Sequence, residues 1–421
     1  MIIPLFIFSF INSSSFIFPF SATRVPVRRF LTEIGSLEQS DPLPIIAKTK
    51  ETFKLSDLYL LESRLQSEVR GCKPTKLLSS DKNTGSYLLE IDKGFIQNSS
   101  KTLIPSCFDR LDWMGEVLVF GSSGRELIGN LMNMTLQIDD FSLDYKRVGS
   151  LLTKKDYASK AILARVAQCI HGEVSLIPKN SKCQLLLVEC NSGLFLCKQL
   201  QIPSKENIKS IVESNWKNRP FQYSSAINIH IAKIVLDMLY DITLCSLDTE
   251  KETLTLLDPT CGSGTFLAYG LELGLSVNGH DINHRCVEGS RDNINFLFPS
   301  AAAQCDISQM DFSILSSNQD NFHDICVANL PWGQNTEIFD EDCNSRILQN
   351  IYSSLKPNGY AVIISKCSVK KDISSCGFFH FGSVSIPPRG FVLPNDKKKG
   401  SNTKQRTNGS SDCIVTVVQK C

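Results

Sequence analysis

Two short runs hold the residue types that can do chemistry. The first is Leu257-Asp258-Pro259-Thr260-Cys261-Gly262-Ser263-Gly264-Thr265-Phe266, an apolar stretch that meets an acid and then a Gly-x-Gly turn. Gly262 and Gly264 have no Cβ, so the backbone can turn sharply and a ligand can approach it closely. A dinucleotide fingerprint wants Gly-x-Gly-x-x-Gly, but the third glycine position here is Leu267. Asp258 would also repel a pyrophosphate. An acid beside the glycines suits a cation, and S-adenosylmethionine, with an ammonium and a sulfonium, has the matching charges. Asp281 follows 23 residues on (281 − 258 = 23), in Gly279-His280-Asp281-Ile282-Asn283. A carboxylate there can accept both ribose hydroxyls. Asp306 ends a further segment and is read as the acceptor for the adenine amine, with Asp311 as the competing choice. Thr260, Thr265, Ile282 and Asn329 are assigned to the same cofactor.

The second run is Asn329-Leu330-Pro331-Trp332-Gly333, after the apolar Ile325-Cys326-Val327-Ala328. An exocyclic amine on a nucleobase is a poor nucleophile because its lone pair is delocalised into the ring. It need not be deprotonated first. The Asn329 side-chain carbonyl and a main-chain carbonyl near Leu330 can accept its two N–H groups and leave the lone pair aimed at a methyl group. Pro331 fixes its own φ and stiffens the loop. Trp332 offers a flat face on which a base can stack, worth ~1–3 kcal/mol. Asn329 is no base, so the proton leaves after transfer. Cytosine-C5 chemistry needs a nucleophilic Cys on this loop, and Cys326 lies in the strand before it.

Such loops need a parallel sheet to hold them. From about 218 onward, apolar strands at 253–257, 275–279, 325–328 and 360–365 alternate with helical stretches, as in a sheet covered by helices on both faces. Residues 377–385 and 413–418 read as two more strands joined by a long polar loop. Before this, residues 201–217 are polar and read as a link. The segment 30–200 mixes short strands and helices: a strand at 115–121, a helix at 156–170, and a hairpin around Asn191-Ser192-Gly193. No catalytic spacing occurs there. The chain of 421 residues is long enough for two or three domains, at roughly 150 residues each. Its net charge of +1 leaves electrostatic recognition to local patches. The 16 cysteines include no Cys-x-x-Cys pair and read as buried thiols in a reducing compartment, with a zinc ribbon or disulfide scaffold as the lesser reading, so no metal is expected. Residues 1–29 are apolar, then arginine-bearing, and read as a targeting leader. A leader would direct the chain to a plastid or mitochondrion; without one the expectation is cytoplasm.

The motifs of residues 216–370 resemble those of the THUMP-related RNA guanine-N2 methyltransferases. The resemblance rests on Asn218-Arg219-Pro220-Phe221-Gln222-Tyr223, the 258–266 turn, 279–283, Glu288-Gly289-Ser290-Arg291-Asp292-Asn293, 329–333 and 355–360. It implies an α/β, Rossmann-like, seven-stranded class I methyltransferase domain over 206–421. An α+β domain of THUMP-like, RNA-binding type is expected to precede it over 30–205. In that family's terms Asp258, Gly262 and Gly264 hold the methionine end, Asp281 the ribose and Asp306 the adenine. Asn329, Leu330, Pro331 and Trp332 face the target base. Leu330 departs from the proline of the wider amino-methyltransferase pattern, and Trp332 replaces a commoner Tyr or Phe. The implied activity is methylation of the guanosine N2 amine in RNA, foremost tRNA. The alternatives are an N6-adenine or protein-glutamine methyltransferase, or a non-catalytic RNA-binding subunit. A small activator subunit is a further possible partner. Two basic runs, 145–165 and 389–406, could contact phosphates.

Overall fold

A computed structural model describes residues 44–50, 55–81, 85–97, 104–149, 156–175, 181–203, 210–223, 226–246, 253–301, 304–314, 321–331, 342–386 and 413–421. Residues 1–29, read above as a leader, together with Trp332 and the basic run at 389–406, lie outside these residues. All described residues belong to the unit Ser40–Cys421. Among them no helix is long and apolar enough to cross a membrane.

The first half builds an eight-stranded sheet from β1 (Ile45–Thr49), β2 (Lys76–Asp81), β3 (Ser86–Ile91), β4 (Leu111–Gly121), β5 (Gln137–Val148), β6 (His171–Val174), β7 (Cys183–Cys190) and β8 (Gly193–Leu200). Its order is β2-β3-β1-β4-β8-β7-β5-β6. The helices of this half are α1 (Ser56–Val69), α2 (Lys93–Gln97), α3 (Gly124–Met134) and α4 (Asp156–Cys169). The expected hairpin is β7–β8, closed at the Cys190–Gly193 pair by the two residues Asn191 and Ser192. Gly193 takes φ +147°, a region other residues avoid.

The second half contains α5 (Ile211–Asn215), α6 (Ile229–Ser246), β9 (Thr255–Asp258), α7 (Thr265–Glu272), β10 (Ser276–Asp281), α8 (His284–Leu297), β11 (Cys305–Gln309), β12 (His323–Asn329), α9 (Cys343–Ser354), β13 (Leu355–Ser365), α10 (Lys370–Cys376), β14 (Phe378–Ile386) and β15 (Cys413–Lys420). Its seven strands run in the order β11-β10-β9-β12-β13-β15-β14, as the Rossmann-like reading requires. The pairs from β11 to β13 are parallel, and β15 is antiparallel to both β13 and β14. Strand order reverses between β9 and β12. In such sheets ligands bind outside the carboxyl ends at that reversal.

Residues 201–217 do more than link. Val212 and Trp216 are buried in the same core as α6 and β9. Helix α1 is a second surprise. It is encoded in the first half, yet Leu58, Leu61 and Leu65 pack into a cluster with Ile231, Val235 and Leu239 of α6 and with Val384 of β14. Burying each leucine is worth roughly 1.5–3 kcal/mol, so α1 fastens the two sheets to one core.

Candidate cofactor and target-amine site

The glycine turn leaves β9 at Asp258, which is 1% exposed. Gly262 and Gly264 take φ +54° and +78°, and Gly264 caps α7 in the left-handed conformation. Tight packing beneath the turn comes from an unexpected place. In dinucleotide folds a third glycine on the helix allows close approach to the sheet. Here that helix position is Leu267, and the missing side chain is on the strand: a Cβ at Gly279 would lie 2.5 Å from Leu267 Cδ1.

Hydrogen bonds join the turn to its neighbours. Cys261 N–H donates to the His280 carbonyl at 2.8 Å, continuing the β9–β10 pairing. Asp281 Oδ2 accepts from Gly262 N–H at 2.9 Å, and Oδ1 accepts from Asn283 N–H at 2.9 Å. Asp281 is therefore a strut between strand tip and turn, and each oxygen keeps a lone pair for a ribose hydroxyl. Thr260 Oγ1 donates to the Asn329 carbonyl at 3.2 Å, which ties the turn to the tip of β12. Thr265 is 3% exposed, and its hydroxyl lies 3.5 Å from that of Ser263. Ile282 is 53% exposed beyond Asp281, where an adenine ring could cover it.

Both acids carry raised pKa values, and a neighbouring cation would favour their ionised forms. Burial pushes the Asp258 carboxyl well above its usual pKa, against the single stabilising N–H of Thr260. Burial raises Asp281 as well, opposed by the N–H groups of Asn283 and Gly262. A positive group beside either carboxylate would oppose that upward shift. This donor set fits the sulfonium and ammonium of S-adenosylmethionine.

Asp306 is placed elsewhere. It is the second residue of β11, exposed, and in register with Asn278. The carboxyl end of β11 lies at Gln309, opposite Asp281. Asp306 therefore sits three residues down the strand, roughly 10 Å at about 3.3 Å per residue. Asp311 follows the strand end and is half-buried, with its Oδ1 accepting from Ser313 N–H at 2.9 Å and from the Ser313 hydroxyl at 2.7 Å. Of the two acids, Asp311 shares the face with Asp258 and Asp281.

At the tip of β12, Asn329 is in register with Ile364 of β13, and Leu330 N–H donates to the Ile364 carbonyl at 2.9 Å. The Leu330 side chain is 1% exposed and sits among Leu257, Phe312 and Ile347, so only its backbone is available to a substrate. Pro331 is half-buried at the end of the described loop. The Asn329 side-chain carbonyl oxygen, Oδ1, is buried and has no hydrogen-bond partner among the described residues. A buried acceptor left empty costs ~1–3 kcal/mol. That cost is recovered when a donor arrives.

One residue, at the end of the 288–293 stretch, is assigned no role from the sequence. Asn293 of α8 is fully buried; its Oδ1 accepts from Phe221 N–H at 2.8 Å, and its Nδ2 donates to the carbonyls of Phe221 and Ser263, both at 2.9 Å. It clamps the 218–223 segment to the glycine turn. Phe221 lies over Gly289, whose Cβ would fall 2.2 Å from the ring, and Tyr223 lies beside Gly262. Among the described residues no group of three or more His, Cys, Asp or Glu could hold a metal ion.

Residues 217–372 match the family UPF0020, described as "RMKL-like, methyltransferase domain". A Type II methyltransferase, M.VspI, from Vibrio sp. (strain 343) is 32% identical over 92 residues, 21% of this chain and 22% of its own length. A tRNA (guanine(10)-N2)-dimethyltransferase from Methanothermobacter thermautotrophicus is 30% identical over 104 residues, 25% of this chain and 27% of its own length. The matches thus span about a quarter of these relatives. The crystal structure of TrmN from Thermus thermophilus aligns with 90% of this chain and 100% of its own, at 15% identity and a TM-score of 0.38. The stretch that matches this family model, residues 217–372, carries the strand reversal and the glycine turn at its mouth.

Proposed function

We propose that this chain transfers a methyl group from S-adenosylmethionine to the N2 amine of a guanosine in RNA, with tRNA as the favoured substrate. The observation that carries the reading is the buried Oδ1 of Asn329, without a partner among the described residues, at the strand reversal and one hydrogen bond away from the glycine turn. The name of the Methanothermobacter relative supports guanosine as the base.

When bound, S-adenosylmethionine supplies a methyl group made electrophilic by its sulfonium. The chain's part is to hold and orient. Asp258 supplies negative charge near the methionine end, and Asp281 is free to accept the ribose hydroxyls. Asp311, rather than Asp306, is assigned the adenine amine because only its position reaches the carboxyl-end face. Asn329 Oδ1 accepts one N–H of the target amine, and a loop carbonyl near Leu330 accepts the other. The nitrogen lone pair then points away from both acceptors and forms the new N–C bond as the S–C bond breaks. The proton is lost to water afterwards, since no base is needed before transfer. In-line placement supplies most of the rate. Trp332 is assigned the stacking face for a base extruded from its helix. An RNA-binding role for the N-terminal module is part of this reading.

The same acceptors would serve an adenine N6 amine, and this second reading is kept because Asn329 fits any planar exocyclic amine. Methyl transfer from labelled S-adenosylmethionine to total RNA, followed by nucleoside mass spectrometry, decides between them. N2-methylguanosine is the expected product. Methyladenosine as the sole product overturns the guanosine assignment.

A further inference from the structure

The carboxyl end of β13 stands next to the target-amine site, because Asn329 is in register with Ile364. The chain leaves β13 at Ser365 and continues as Lys366-Cys367-Ser368-Val369-Lys370-Lys371 into α10. Val369 and Ile373 are buried in the cluster that holds Leu330 and Leu257. This run is thus packed against the loop that carries Asn329. Between those anchors Cys367, Ser368, Lys370 and Lys371 are exposed and Lys366 is half-buried. The nearby acid, Asp372, accepts a hydrogen bond from the Ser345 hydroxyl at 2.6 Å. Among the described residues, Lys366, Lys370 and Lys371 make no ion pair. Burial first, then the Lys370 ammonium, push the His380 imidazole below its usual pKa.

We propose that Lys366, Lys370 and Lys371 bind backbone phosphates of the polynucleotide that presents the target amine. The inference rests on the nucleic-acid reading above and narrows it: the substrate is a chain with phosphates flanking the target, not a free nucleoside or a protein side chain. A glutamine in a protein carries no obligatory anion beside its amide. A nucleotide in a strand always does, and contacts to it fix register without reading sequence. Holding the flanking phosphate also offsets part of the few kcal/mol needed to extrude a stacked base.

The test uses the full chain and a total tRNA preparation. RNA affinity and methyl-transfer KM are measured from 50 to 200 mM salt for three proteins: wild type, the triple variant Lys366→Ala/Lys370→Ala/Lys371→Ala, and the matching triple Arg variant. The alanine variant is expected to raise KM at least about tenfold and to lower the slope of log K against log salt by about 2–3. The Arg variant should restore both, and S-adenosylmethionine affinity by calorimetry should stay within about twofold in all three. An RNA-active alanine variant with wild-type KM and salt slope overturns the inference alone. A wild-type protein that methylates protein and no polynucleotide overturns it together with the reading beneath it. If the alanine variant melts early, the Arg variant decides: loss of RNA affinity with charge retained also refutes phosphate binding.

Discussion

Asn329 has a buried side-chain carbonyl oxygen without a donor among the described residues, and that acceptor ties sequence to chemistry at the residue scale. Replacing it with alanine should lower turnover about 10²–10³-fold, the scale of losing one positioned polar group in a transition state. Cofactor affinity should stay within a few-fold, read by calorimetry; unchanged turnover would remove Asn329 from the mechanism. Asp258 makes a prediction in pH. Its carboxyl is pushed well above the usual range by burial, so in the free protein it ionises late. A cation binds the ionised form better, so cofactor affinity should climb with pH from the ordinary carboxylate range up to the raised pKa and then level off. The slope approaches one decade per pH unit at most. Asp258→Asn should bind weakly and without that slope. These two residues were legible in the sequence because each ends an apolar run at a motif. Which acid stands at the carboxyl end of β11 was not, because Asp306 and Asp311 both lie near the end of the same short segment. Only the pairing of Asp281 with Gln309 shows where β11 stops.

At the scale of elements, the site is a wall made from the glycine turn, α8 and the 218–223 segment. Asn293 stitches the three together with bonds to Phe221 and Ser263. Gly289 lets the Phe221 ring lie on the helix, and an added Cβ would meet that ring at 2.2 Å. A rigid aromatic ring cannot yield by so much, so Gly289→Ala must displace the segment. We expect cofactor affinity to fall about tenfold, or 1.4 kcal/mol, with a lower melting temperature. Calorimetry that finds wild-type affinity would show that the segment does not form part of the cofactor wall. The alternation of strands and helices in the second half was legible, since buried parallel strands are continuous apolar runs. The role of Asn293 was not, because its partners lie 72 and 30 residues away in sequence. The same reasoning explains why 201–217 passed for a link: Val212 and Trp216 are sparse among polar neighbours, yet both are buried.

Over the whole molecule the two sheets meet at a buried polar cluster that no motif announced. Glu62 of α1 is fully buried, and its Oε1 accepts from the Ser106 hydroxyl at 2.9 Å. Arg110 lies between Glu62, at 3.7 Å, and Asp237 of α6, at 2.6 Å, where Lys233 joins at 3.0 Å. Asp241 accepts from Ser106 N–H at 2.7 Å and from Gln66 at 3.2 Å. Burial pushes the Glu62 carboxyl up to about 7; Arg110 opposes this, while Asp237 and Asp241 add to it. An unfolded glutamate titrates near 4.3, so between these values the folded state holds a proton that the unfolded state has released. The unfolded state then binds fewer protons, and stability must fall as pH rises through that window. His323 acts the other way: burial lowers its pKa to about 4, so its contribution to stability grows from pH 4 toward 6.5. The difference between wild type and Glu62→Gln isolates the carboxyl. The glutamine variant should be less stable than wild type, or equal to it, near pH 5. From pH 5 to pH 8 it should gain on wild type, with a relative shift of several degrees in melting temperature across the range. Thermal melts at pH 5, 6, 7 and 8 check this. Parallel curves for the two proteins would mean that Glu62 is already ionised in the folded state, with Arg110 holding its charge.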